Sequence, residues 1–243
     1  MNRALLGFLA AAFIGREKVV RADPVEIPAA QVASDSLAIP HLEWSATYAS
    51  WYSFQGIDYS QGLPVLQPGM SVKLHGVSLG LWSNLDQSRR EWNEVDVTLQ
   101  AEREVGPVTC GFGYAYLRYP HRDWAATHEL IAELGLAGSV QTSLSVHWDV
   151  AAGHGRYWAL GLSRDATFHA ATASLGAKVY VHEHYYDQSG FPALETSVAV
   201  SSPWACFPLQ PSLSHLWAWP NGDFRGDQAI RSRWIMSLTY ASP

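Results

Sequence analysis

From Leu42 to Tyr240 the chain alternates apolar and polar positions with a period of two, and no stretch repeats apolar residues at helical spacing. The segment "NEVDVTLQAERE", Asn93 to Glu104, is the clearest case. Val95, Val97, Leu99 and Ala101 fall on one face of an extended strand, and Glu94, Asp96, Thr98, Gln100 and Glu102 fall on the other. Eleven further segments follow the same rule. Trp44, Ala46, Tyr48 and Tyr52 share a face in the first, Leu66, Met70, Val72 and Leu74 in the second, and Val77, Leu79 and Leu81 in the third, after a tight His75-Gly76 turn. The others are "VTCGFGYAYLRY", "THELIAELGLA", "VQTSLSVHWDV", "GRYWALGLS", "FHAATASLGAKVYVHEH", "ALETSVAVSS", "PLQPSLSHLWAW" and "QAIRSRWIMSLTY". The pattern predicts an all-β chain of about twelve strands over residues 41–243.

Connection lengths alternate as well. The odd ones ("GIDYSQGLP", "NLDQSRREW", "PHRDWA", "AAGH", "YYDQSGFP", "PNGDFRG") are mostly long and polar, and the even ones ("HG", "EVGP", "AGSV", "RDAT", "PWACF") are short. Long loops at one end, short turns at the other and an even strand number describe an antiparallel up-and-down outer-membrane barrel with both termini periplasmic.

Alternation alone is symmetric between such a barrel and a soluble ligand-binding one, because either face can be the one that meets water. The aromatic residues break the tie. On the apolar side Trp44 and Tyr240 lie near the short-turn ends of their strands, and Tyr52, Phe54, Tyr116, Trp148, Trp158, Trp217 and Trp219 near the long-loop ends, as two interfacial girdles require. Arg103, Arg118 and Arg156, also on the apolar side, sit close to strand ends, where their stems reach the headgroups. His215 is the exception, a polar residue near mid-strand on the lipid face.

Composition agrees with that choice. Charged residues make up 16% of the chain and aromatics 12%, a balance with little surface meant for water. The net charge of -6 and the absence of a Lys/Arg cluster exclude a nucleic-acid binder. The apolar run "ALLGFLAAAFIG", Ala4 to Gly15, is too short to span a membrane and has the length of an export-signal core, so residues 1–22 are expected to be a signal peptide and 23–40 a linker.

With the apolar face outward, the residues lining the lumen are Lys73, Glu94, Asp96, Glu102, Glu129, Glu133, Asp149, Lys178, Glu195, Arg231 and Arg233. Their acidic surplus points to a modest preference for cations, with Glu129 and Arg231 as the expected constriction. The same charges, paired across the lumen through Arg231 and Arg233, would instead make a plug.

Other chemistry is thin. His182, His184 and Asp187 form a trio without a fourth metal ligand, and Cys110 and Cys206 lack the spacing of a zinc site, so no metal or cofactor is expected. Ser145 and His147 face the lumen together, whereas Ser214 and His215 point opposite ways; neither pair makes a nucleophile and its base, and no enzyme is expected.

The opening stretch "ATYASWYSFQGIDYSQGLPVLQPGMSV", with "GVSLGLWSNLD" and "NEVDVTL", resembles the start of the TorF-like porins, small outer-membrane barrels of Gram-negative bacteria. Tyr48-Ala49-Ser50, Tyr52, Phe54, Gly56-Ile57, Pro64, Leu66-Gln67-Pro68-Gly69, Gly80, Trp82-Ser83-Asn84 and Glu94-Val95-Asp96 carry the likeness, with "YAYLRYP" (Tyr114 to Pro120) as a further match. It covers about the first third of the mature chain, the rest agreeing in rhythm only. The resemblance implies a narrow passive pore for small solutes in the outer membrane, inserted by the barrel-assembly machinery, with association into homo-oligomers left open. The last strand ends in Trp234, Met236, Leu238 and Tyr240, but Ala241-Ser242-Pro243 run past the terminal aromatic such barrels usually carry.

Overall fold

The computed structural model describes residues 40–55, 57–168, 171–201, 209–225 and 232–241. Twelve long strands form one antiparallel sheet: β1 (His41–Ala49), β2 (Val65–Leu74), β3 (Val77–Asp86), β4 (Glu91–Val105), β5 (Val108–Arg118), β6 (Thr127–Leu136), β7 (Gln141–Asp149), β8 (Arg156–Phe168), β9 (Ala171–Tyr185), β10 (Ala193–Ser201), β11 (Leu209–Ala218) and β12 (Arg233–Ala241). Each pairs with its neighbour in sequence, and β1 pairs with β12 through the Ala46–Tyr240 to Ala49–Ser237 rungs, which closes the barrel. Closure leaves no unpaired edge, the condition for a sheet to sit in lipid. Twelve strands about 4.8 Å apart and tilted about 40° make a cylinder of roughly 12 Å backbone radius.

The alternation sorts as the sequence predicts. Leu79, Leu81, Val97, Leu99, Leu134, Leu160, Leu162, Leu175 and Leu213 all point away from the axis and are exposed, Leu79 by 54%. Their neighbours Ser45, Thr47, Gln67, Ser145 and Ser214 point inward and are buried. A molecule whose leucines are outside and whose serines are inside has the face pattern of a membrane barrel, the reverse of a soluble one. Trp44 and Tyr240 stack with ring centroids 4.7 Å apart near the short-turn end, and Trp148, Trp217 and Trp234 are exposed around the other.

Turn chemistry fixes the register. His75 and Gly76 both adopt positive φ (49° and 78°), the two-residue type I′ geometry that matches strand twist, and a Cβ at Gly76 would lie 2.7 Å from the Glu102 carbonyl. In the β4–β5 turn Gly106 takes the positive-φ position ahead of Pro107. A bulge between β3 and β4 pairs Asn84 with Glu94 but Leu85 with Trp92, so that Asn93 is the extra residue.

Several expectations are corrected. β3 and β4 run on through most of "NLDQSRREW", leaving only Gln87 to Arg90 as their connection. The "RDAT" turn is not one: Arg164, Ala166 and Phe168 continue the outward phase and Asp165 and Thr167 the inward phase, so β8 extends to Phe168. Tyr52 and Phe54 are not in the girdle, because β1 ends at Ala49 and the chain turns inward. His215 lies not at mid-strand but three residues before the loop end of β11, its ring 4.2 Å from that of Trp217 and 4.5 Å from that of Trp234. That places it at interfacial depth. Arg231 and Cys206 lie outside the described residues, as do the proposed signal and most of the linker.

Candidate functional site: the lumen and its mouth

Inward positions change character along the axis. Toward the short turns small residues (Gly80, Gly111, Gly161, Gly176, Ser143, Ser163, Ser174 and Ser212) are interspersed with longer polar ones (Glu43, Lys73, Gln100, Glu133, Asp165 and Lys178), so backbone, hydroxyl and charged groups share the wall. Toward the long loops they are Trp82, Leu117, Ile131, Tyr157, Tyr180, His182 and Leu216. Large rings from opposite walls fill a cylinder of this radius, whereas glycine and serine leave it wide.

The connection between β1 and β2 crosses the mouth. It is anchored on β12, where Ser50 N donates to the Met236 carbonyl (2.9 Å) and Trp51 Nε1 to the Trp234 carbonyl (3.2 Å). A two-rung hairpin, Ser53–Phe54 with Ile57–Asp58, follows, closed by Tyr52 N donating to Ser60 Oγ (2.8 Å) and Tyr59 N to the Tyr52 carbonyl (3.1 Å). Its tip reaches the far wall: the Phe54 ring meets Tyr157 of β8 edge-on at 6.0 Å. Tyr59 packs at 5.2 Å on Trp124 of the β5–β6 loop, and Arg122 Nη2 donates to the Tyr59 carbonyl (2.9 Å). Tyr52, Tyr59, Asn93, Glu94, Arg122 and Trp124 line a small cleft there.

Carboxylates gather below this crossing. Glu129 is buried on β6, accepting from the Tyr185 hydroxyl (2.6 Å) and bonded to His147 Nδ1 (3.0 Å), whose ring stacks on Tyr157 at 4.4 Å. Glu94 is buried on β4 and hydrogen-bonded by Tyr52; Asp96 follows it one inward position down. Burial first, and then the charges of Glu94 and Asp96, push the Tyr52 phenol well above its ordinary value. Burial likewise raises Tyr59, and takes Tyr186 up to about 12, so these phenols act as donors at neutral pH.

The remaining sequence-predicted residues scatter along the wall. Lys73 pairs with Glu43 (2.6 Å) near the turn end, Glu133 accepts from Gln100 Nε2 (2.7 Å), and Glu102 has the inward phase but sits exposed at the rim, past the last β3–β4 rung. Asp149 is fully buried, with Thr127 Oγ1 donating to its carboxylate (2.7 Å) and Ala151 N to Oδ1 (2.9 Å), and so it anchors the β7–β8 loop. Lys178 and Glu195 are ladder partners on β9 and β10, the lysine head 5.3 Å over the Tyr180 ring. Arg233 stacks on Trp51 at 4.6 Å. The crossing is thus built from aromatic rings, and the partners shown for Glu129 and Glu133 are His147, Tyr185 and Gln100 rather than Arg233.

Sequence reasoning missed Glu43, Asp86 and Asp165. Glu43 shares the phase of Ser45 and Thr47 and was readable from it. Asp86 and Asp165 were assigned to connections that proved to be strand; Asp165 accepts from Ser174 Oγ (2.7 Å), and Asp86 caps Ser88 N (2.9 Å) and Arg89 N (3.0 Å). An amide ladder was also missed: Gln67 Nε2 donates to Asn84 Oδ1 (3.0 Å) and Asn84 Nδ2 to Asn93 Oδ1 (2.6 Å), using the bulged residue. His182 and His184 do not share a face, because the β8–β9 register shifts between them; His182 is buried inward and His184 is exposed with φ 54°. Among the described residues no group of three metal-ligating side chains occurs.

No protein-family model and no curated protein matches the chain. Solved structures do. The NanC porin superposes with a TM-score of 0.53 at 12% identity, covering 83% of this chain and 98% of that one. A structure from a study of in-meso crystallization of membrane proteins gives 0.51 at 8% identity, covering 83% of each chain. An outer-membrane channel from Pseudomonas putida F1 gives 0.49 at 11% identity, covering 91% and 99%. The fold is that of the porin-like outer-membrane barrels.

Proposed function

We propose that the protein is a porin-like channel of the bacterial outer membrane, passing small solutes by diffusion, with cations favoured over anions. The observation that carries this is the inner wall: a polar cylinder of hydroxyls, glycines and charged side chains leading to a mouth with Glu94, Asp96 and Glu129 on one side of an aromatic crossing. Charges facing a narrow passage set the sign of the ion it admits. Arg122, at the cleft that holds Glu94, reduces the acidic surplus without reversing it, and the Lys73–Glu43 pair adds no net charge.

The NanC likeness supports the porin reading through its fold, and the opening motifs support a place beside the TorF-like porins. In this reading the long loops face outward, both termini are periplasmic, residues 1–22 are an export signal, and the assembly machinery inserts the barrel. Transport of this kind needs no catalytic group or cofactor.

Single-channel recording in planar bilayers across a potassium chloride gradient tests it. The wild type gives small, discrete current steps with a reversal potential on the cation side. A variant with Glu94→Gln, Asp96→Asn and Glu133→Gln moves that potential toward zero. Absence of any current, or an unchanged ion ratio in the variant, would contradict the channel and the role of the acids respectively.

A further inference from the structure

The described part of the β11–β12 loop, residues 219–225, also packs onto an inward side chain, apart from the β1–β2 crossing. Its 3-10 turn, Gly222–Phe224, puts the Phe224 ring, fully buried, edge-on to the His182 imidazole at 4.9 Å and 86°. The turn is clipped to the β9–β10 loop at several points. Asn221 N donates to the Phe191 carbonyl (3.0 Å), Phe191 N to Asn221 Oδ1 (2.9 Å) and Ser189 N to Asp223 Oδ2 (2.7 Å). Two glycines permit the approach: a Cβ at Gly190 would lie 2.5 Å from the Asn221 carbonyl oxygen, and one at Gly222 2.3 Å from that of Ser189.

His182 under this turn is 2% exposed, and neither ring nitrogen has a hydrogen-bond partner. The groups around it are neutral. Tyr157 of β8 lies 6.0 Å away and Tyr185 of β9 5.4 Å away, both as protonated phenols. The nearby carboxylates are engaged or directed elsewhere: Asp223 on Ser189, Glu129 on Tyr185 and His147, and Glu195 further down the wall beside Tyr180. An imidazolium in that place would be a buried cation with no counter-charge and no acceptor.

We propose that Phe224 is a stopper resting on a histidine switch: the Gly222–Phe224 turn seats on neutral His182, and protonation of His182 unseats it. The sign follows from burial of the neutral form. The seated turn is favoured above the pH range in which an exposed histidine titrates, and is lost as pH falls and the proton is taken up with the ring in water. On the pore reading above, the unseated turn widens the passage, so conductance rises in acid.

Recordings of wild type, His182→Phe, His182→Gln and Phe224→Ala at neutral pH and at about pH 4.5 read the switch. The wild type at least doubles its conductance in acid, both His182 variants stay flat, and Phe224→Ala is high at both values. Retention of the wild-type pH response in folded His182→Phe or His182→Gln, checked by heat-modifiable migration, overturns the proposal. Amide hydrogen exchange of residues 221–224 in detergent reads the same motion without current. After correction for the intrinsic rate it is faster in acid for wild type only; equal protection at both pH values overturns the switch and leaves the pore reading standing. A wild type that carries no current at either pH sinks the pore reading, and the exchange result still decides the switch.

Discussion

Glu129 shows how a single inward carboxylate is made tolerable in this barrel. A phenol and an imidazole hold it, and that imidazole is stacked on Tyr157. A hydrogen bond to a charged group is worth about 1.5–3 kcal/mol. Tyr185→Phe is therefore expected to lower stability by about 2 kcal/mol, read as the urea midpoint for unfolding from lipid vesicles. Arg233 illustrates the opposite outcome. Its inward phase was plain in the sequence, but its stacking on Trp51 depends on a loop anchored on the strand that carries it, and no pattern within one strand reports that.

At the scale of the element, the period of two located the twelve long strands among the described residues and the face their side chains take, except past the β9 bulge at His184, because in a regular closed sheet those follow from the pleat alone. Loops were less legible. "RDAT" and "NLDQSRREW" contain turn-forming residues, yet ladder bonds to the next strand carry them as sheet. The inward fold of the β1–β2 connection was hidden for a related reason: Tyr52 and Phe54 continue the apolar phase of β1, and only the turn at Ser50–Trp51 sends them inside. Two outcomes belong here. Leu81→Arg, at the middle of β3 on the outer face, should cost about 2–4 kcal/mol in a bilayer, measured by the same unfolding experiment. Replacing residues 53–60 by a glycine-serine linker should raise single-channel conductance severalfold, since it removes the rings that span the mouth; an unchanged conductance would show that the crossing does not limit flow.

The whole molecule combines an apolar outer belt, a polar inner wall whose side chains are smaller toward the short turns apart from a few charged and amide groups, and a mouth narrowed by rings beside an acidic surplus. Belt and wall were readable as faces, and the acids as members of the inner face. The mouth was not, because it is assembled from four connections brought together only after the barrel closes. The distribution of charge makes a molecule-wide expectation: raising ionic strength should weaken cation preference, as salt screens the acids at the mouth. A selectivity ratio unaffected by salt would point to size alone as the filter.

Ser78 and Leu79 are neighbours on β3 that face opposite ways, the first inward and the second outward. In a background with Cys110 and Cys206 replaced by serine, a single cysteine at either position can be labelled with an environment-sensitive fluorophore and the protein refolded into vesicles. The label at 79 should emit at short wavelength and be quenched by a lipid-borne quencher, and the label at 78 should emit at long wavelength and be quenched by aqueous iodide. The reverse assignment would place the leucines around a protein core and contradict the account at its base.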